Sequence, residues 1–168
     1  MSKAEYLQTA LKAAVSAGNL IEERHKDILN ASRKESLRDI VTHVDKLAEN
    51  QIIDILKDYD KNIPILTEES GLIQGKTEKT YWIVDALDGT VNYVNHIPFY
   101  AVSIALFDKN KITVGVIFNP CSNELYYGSD GLGVFKNQKP LKIMDRIPEE
   151  CLFSMAFSGK NYEATKRV

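Results

Sequence analysis

Cysteine is scarce in this chain: only Cys121 and Cys151 occur, and neither belongs to a short Cys or Cys/His repeat. A disulfide framework and a zinc site both need such repeats, so both are excluded, and two reduced, partly buried thiols are expected. Long apolar runs are missing as well, none approaching the ~20 residues of a membrane helix. The first residues, MSKAEYLQTALKAAVSAG, also lack the continuous apolar core of a signal peptide. A soluble cytoplasmic protein without a membrane partner is therefore expected. Nor is there a basic excess, since 21 Lys+Arg stand against 23 Asp+Glu for a formal net charge of -2. The basic residues are mixed with acids, as in Glu22-Glu23-Arg24-His25-Lys26, so nucleic acid is not expected as the main ligand. Internal repeats and low-complexity linkers are absent.

What is present is an ordinary globular balance over 168 residues, 44% hydrophobic and 26% charged, enough for one domain with a substantial core. From about Ala4 to Leu29 the residues Leu7, Leu11, Ala14, Val15, Gly18, Ile21, Ile28 and Leu29 recur at the spacing of one helical face. Val44, Leu47, Ala48, Ile52, Ile55, Leu56 and Tyr59 mark a second helix, with Thr42 and Asp45 spaced as a capping pair at its start.

After Asn62 the period changes. Ile63 to Leu66, Tyr81 to Val84, Tyr100 to Phe107 and Ile112 to Phe118 read as strands, the last two joined by a hairpin at Asp108-Lys109-Asn110-Lys111. Shorter strands are expected around Glu124 to Tyr127, Gly133 to Phe135, Leu141 to Met144 and Cys151 to Phe157, with a turn at Asn137-Gln138. Successive hairpins predict a largely antiparallel sheet with the two N-terminal helices packed on it, an α+β or layered α/β fold.

Chemistry concentrates in Val84-Asp85-Ala86-Leu87-Asp88-Gly89-Thr90. A strand ending at Asp85 and a helix or turn opening near Thr90 hold two carboxylates beside unpaired amides of Gly89 and Thr90, groups suited to Mg²⁺ and to phosphate respectively. Taken alone the stretch equally fits a plain turn, because Asp-Gly is among the commonest turn steps. Ala86 stands where an Asp nucleophile two residues before the second Asp is required, which excludes an aspartyl-phosphate enzyme. Leu87 and Gly89 interrupt the alternate oxygen ligands of a calcium loop. Thr67-Glu68-Glu69-Ser70 likewise fits an exposed acidic loop, and Asp45 a helix cap.

Together, Asp45 after Ile40-Val41-Thr42, then Thr67-Glu68-Glu69-Ser70, then Trp82-Ile83-Val84-Asp85-Ala86-Leu87-Asp88-Gly89-Thr90, then Pro98 and Val102-Ser103-Ile104-Ala105-Leu106, resemble the inositol monophosphatase family across nearly the whole chain. The resemblance implies a layered α/β/α/β/α sugar-phosphatase fold and a Mg²⁺-dependent, lithium-sensitive phosphomonoesterase, commonly a homodimer. It assigns Glu68, Asp85 and the Leu87 carbonyl to one metal, and Asp85 and Asp88 to a second. It assigns Asp45 and Thr90 to the attacking water. The phosphate falls to the Gly89 and Thr90 amides, within a pocket that Glu68, Leu87 and Asp88 border. Val91-Asn92-Tyr93 after Thr90 is closer to the inositol phosphatases than to relatives acting on adenosine bisphosphate, and favours a phosphorylated polyol or sugar.

Two departures stand out. Ala86 replaces a Pro that most members carry, which frees the turn without removing a ligand. Trp82 is the only Trp, so the later Trp-Asp motif, whose Asp completes the second metal site, is missing. A metal- and phosphate-binding domain over residues 1–150 and the start of an incomplete αβ unit over 151–168 are expected, as in a truncated chain. Two other readings share these residues: a non-catalytic binding or scaffold protein, and a bisphosphate nucleotidase or fructose-bisphosphatase.

Overall fold

The computed structural model describes residues 2–30 and 37–142, with the side chains of all but 26–30 and 37–42. Helix α1 (Lys3–Asn30) places Leu7, Ala10, Ala14, Ala17 and Ile21 at alternating steps of three and four, and all are buried. The alanines let the helix lie close to the sheet. At Gly18 an added Cβ would fall 2.5 Å from ring carbons of Phe118. Helix α2 (Leu37–Tyr59) buries Val44, Ala48, Ile52 and Leu56, one per turn.

Because α2 begins at Leu37, Thr42 and Asp45 lie inside the helix and cannot cap its start. The apolar period already runs through Leu37, Ile40, Val41 and Val44, and it outweighs a local capping signal. Asp45 is thereby left without a capping role.

Eight strands form one sheet among the described residues: β1 (Ile65–Thr67), β2 (Gly71–Ile73), β3 (Thr80–Asp88), β4 (Ala101–Asp108), β5 (Lys111–Asn119), β6 (Glu124–Ser129), β7 (Gly133–Lys136) and β8 (Lys139–Pro140). Their spatial order is β2-β1-β3-β4-β5-β6-β7-β8. Every neighbouring pair is antiparallel except β1 and β3, which run parallel.

The expected hairpin at Lys109-Asn110 is present, with φ of 49° and 71° at its two central residues. Asn137-Gln138 turn the same way, at 46° and 69°. That turn closes at once on Lys136↔Lys139, so the last strand among the described residues falls at Lys139–Pro140; of the strand expected at Leu141 to Met144, Leu141 and Lys142 are not in a strand and the rest lies outside the described residues. The strand expected at Cys151 to Phe157, and the boundary at residue 150, lie outside the described residues.

Trp82, Val84 and Ala86 on β3, with Val102, Ile104 and Leu106 on β4 and Val114, Val116 and Phe118 on β5, fill the core beneath the two helices. The opposite face of the sheet carries Ser103, Ala105, Gly115, Ile117, Tyr126 and Val134 along an open groove of about 540 Å³. The fold is thus a layered α+β arrangement, as expected. One thiol departs from expectation: Cys121 is exposed, because it follows β5 in the turn to β6.

Candidate metal and phosphate site

The parallel pairing of β1 with β3 puts the C-terminal ends of both strands at one edge. In that register Thr67 lies opposite Val84, so the next residues, Glu68 and Asp85, emerge side by side. The Glu68 carboxylate lies close enough to raise the Asp85 carboxyl above its ordinary value. Strand β3 does not stop at Asp85 as expected. It continues to Asp88 through an irregularity in its pairing with β4 between those two residues. Ala86 and Leu87 both turn into the core across this bulge, which leaves Asp85 half-buried and Asp88 exposed.

Asp85 Oδ1 accepts a hydrogen bond from the Leu87 N–H at 3.2 Å, bending the chain back on itself. The Leu87 carbonyl in turn accepts from Thr90 Oγ1 at 3.2 Å. Between them Gly89 adopts φ 90°, and a Cβ there would sit 2.9 Å from the Phe99 carbonyl oxygen. Only glycine suits this backbone and this close approach. Gly89 caps helix α3 (Thr90–Val94), a single turn whose opening amides have no carbonyl one turn back to bond. Tyr93 fixes α3: it is fully buried, and its hydroxyl donates to the Ile21 carbonyl of α1 at 3.0 Å.

From α2, Asp45 and Glu49 face this edge one helical turn apart, both buried. Burial, reinforced by the charges of Glu69, Asp85, Glu49 and Glu68, pushes the Asp45 carboxyl up to about 7. Burial, then Glu68 and Asp88, push Asp85 up to about 6. Asp45 on α2 and Asp85 on β3 therefore sit among the charges of Glu49, Glu68, Glu69 and Asp88, with no basic residue among the causes of either shift. Asp45 and Thr90 are not joined by a hydrogen bond; the Thr90 hydroxyl is held by Leu87 instead.

Glu49 belongs to none of the sequence motifs, yet it joins the site. Its Oε2 accepts the Glu69 N–H at 3.2 Å, and its Oε1 accepts the Ser70 hydroxyl. The available signal was the pair Asp45 and Glu49, four apart and interleaved with the buried positions Val44, Ala48 and Ile52, where charge is costly.

Among the described residues no three His, Cys, Asp or Glu side chains converge into a ready-made metal cage. The donor set nevertheless fits Mg²⁺: hard oxygens only, a carboxylate pair at Glu68 and Asp85, and a neighbouring carbonyl. Mg²⁺ keeps several waters and needs few carboxylates, so a tight cage is not its usual site. Mutual repulsion of these carboxylates is the property that a divalent cation relieves.

Residues 2–166 match the model of the inositol monophosphatase family. The chain is 38% identical over 139 residues to Nus factor SuhB of Haemophilus influenzae, covering 82% of this chain and 52% of that protein. With inositol monophosphatase 3 of Solanum lycopersicum it shares 39% identity over 142 residues, 83% of this chain and 53% of the relative. The crystal structure of extragenic suppressor protein suhB from Bartonella henselae superposes with a TM-score of 0.75 at 34% identity, over 84% of this chain and 55% of that one. The chain spans about half the length of the curated relatives it matches. Match, fold and the ordered acidic motifs agree: this chain belongs to the inositol monophosphatase family.

Proposed function

We propose that this chain carries the metal- and phosphate-binding part of a Mg²⁺-dependent phosphomonoesterase acting on a small phosphorylated polyol or sugar, with inositol monophosphate as the leading substrate. The observation that supports it most is the parallel register that sets Glu68 beside Asp85, next to the Leu87 carbonyl and the Gly89-Thr90 turn. Glu68, Asp85 and the Leu87 carbonyl would hold one Mg²⁺, and Asp85 and Asp88 a second. When bound, the ions would neutralise the phosphate charge that makes uncatalysed hydrolysis of a monoester extremely slow.

The remaining work falls to the chain. The Gly89 and Thr90 amides receive phosphate oxygens at the opening of α3. Thr90 spends its proton on the Leu87 carbonyl, which leaves its oxygen lone pairs to orient a water. Asp45, buried with no hydrogen bond to Thr90, would take that water's proton as it adds to phosphorus, and the departing alkoxide would take a proton from solvent. Lithium inhibition, a cytoplasmic location and a homodimer belong to the same reading.

The relatives named Nus factor favour a second reading, a binding module that keeps the fold without catalysis. On that reading a nucleic-acid or protein partner stays open, contrary to the sequence expectation. Phosphate release from inositol 1-phosphate with Mg²⁺ separates the two. The enzyme reading predicts release that Asp85→Ala abolishes. No release, together with an Asp88→Asn variant whose Mg²⁺ affinity equals that of the wild type, overturns it.

A further inference from the structure

We infer that Glu49 is the positioning residue of the candidate metal site, fixing the turn that presents Glu68; the metal half of this inference rests on the function proposed above. Glu49 is 2% exposed. No Lys or Arg among the described residues is paired with it in an ion pair. A leucine would pack at such a helix position at lower desolvation cost, so the carboxylate calls for a reason. Its two oxygens supply one. They bind two successive donors on a different element, the Glu69 amide through Oε2 at 3.2 Å and the Ser70 hydroxyl through Oε1.

The rest of the turn is tied as well. The Ser70 N–H donates to Thr67 Oγ1 at 3.1 Å, and the Thr67 hydroxyl donates to the Gly71 carbonyl at 3.4 Å. Glu68 is therefore held on both sides. Before it stands Thr67, registered against Val84 of β3; after it stands an amide clamped to α2. Its own side chain stays exposed at the edge, free to serve as a ligand. One turn earlier on the same helix Asp45 is buried and feels the charge of Asp85. Residues that orient metal ligands in this way typically shift metal affinity when lost, although they never touch the ion.

Positioning and plain charge make different predictions. In Glu49→Gln, the amide oxygen accepts the Glu69 N–H while the amide nitrogen donates to a rotated Ser70 hydroxyl, so the strap survives without charge. In Glu49→Leu both bonds go. We expect Glu49→Leu to speed hydrogen exchange at the Glu69 amide at least about tenfold, and to raise the Mg²⁺ Kd by about 10- to 100-fold in an NMR titration with MgCl2. Glu49→Gln should stay within about threefold of wild type on both. Ser70→Ala, which leaves the core untouched, should fall between, and it decides the matter if Glu49→Leu does not fold.

Unchanged Glu69 exchange in Glu49→Leu overturns the strap, and where Glu49→Leu cannot be studied, Glu69 exchange and Mg²⁺ affinity both unchanged in Ser70→Ala do so. Loss of Mg²⁺ affinity in Glu49→Gln equal to that in Glu49→Leu, with Glu69 still protected, assigns the effect to charge and overturns positioning. If the wild type binds no Mg²⁺, the function proposed above fails, and the metal half of this inference with it, while the exchange measurement still judges the strap.

Discussion

Asp45 shows how a single side chain couples the site to stability. Its carboxyl is raised from 3.8 to about 7 in the folded chain, and that of Asp85 to about 6, both by burial first and neighbouring carboxylates second. Between those values and the unfolded value the folded state binds more protons than the unfolded one. Their stabilising contribution is therefore complete below about pH 4 and is lost as pH rises through about 6 and then 7. In the metal-free protein Asp45→Asn should raise stability near pH 8 by on the order of 2 kcal/mol, with little effect near pH 4, in thermal melts with EDTA. Equal shifts at both pH values would show that the like-charge account is wrong. Gly89→Ala, at φ 90° and against the Phe99 carbonyl, should cost about 1–2 kcal/mol and weaken phosphate binding, read by melts and by a phosphate titration. Asp85, Asp88 and Gly89 lie close together in the sequence, yet their spacing alone equally fits a plain turn, and only their order with Asp45 and Glu68 singles them out. Asp45 reads locally as a cap and only the resemblance gives it another role, while Glu49 belongs to no motif, because the surroundings of each depend on a turn some twenty residues away.

At the scale of elements, helix α1 and strands β3 to β5 were legible, since long segments repeat their period several times. The parallel pairing of β1 with β3 was not. A strand of three residues with one exposed position carries too little period to reveal its direction, and the short β2 that follows mimics an ordinary hairpin. Yet this pairing is what brings Glu68 to Asp85. Helix α1 packs on β5, and at Gly18 it leaves no room for a Cβ beside Phe118, which is only 4% exposed. Gly18→Ala gains about 1 kcal/mol of helix propensity, while overpacking against a buried ring costs about 1–3 kcal/mol. A net loss of about 1 kcal/mol is expected in urea melts, and partial relief when Phe118→Leu makes room. A Gly18→Ala variant more stable than wild type would show that the interface has slack.

At the scale of the molecule the two faces of the sheet differ. The inner face is filled by α1 and α2, while among the described residues the outer face leaves Ile112, Ile117 and Val134 at 51%, 50% and 47% exposure. No sequence period could announce this. Alternation shows that a strand has two faces but not what covers the second, and Gly115, Ala105 and Ser103 read as neutral between them. Val91 on α3 and Phe99 after it are exposed at 74% and 75%, so apolar surface also lies beside the candidate site. No helix among the described residues is long and apolar enough to cross a membrane, so these surfaces are not parts of a spanning helix. An open apolar face of this kind binds hydrophobic dyes while the chain stays folded. The 168-residue chain should therefore enhance ANS fluorescence at full native circular dichroism. Ile117→Thr with Val134→Thr keeps the β-branched shape and removes apolar surface, so it should cut that signal severalfold with stability changed by less than about 1 kcal/mol. Dye binding that persists undiminished in the double variant would move the apolar surface to the Val91 and Phe99 side. No dye binding in the wild type would mean that the outer face is covered in solution, and the oligomeric mass measured on the same sample would then separate cover by a second copy from cover within the chain.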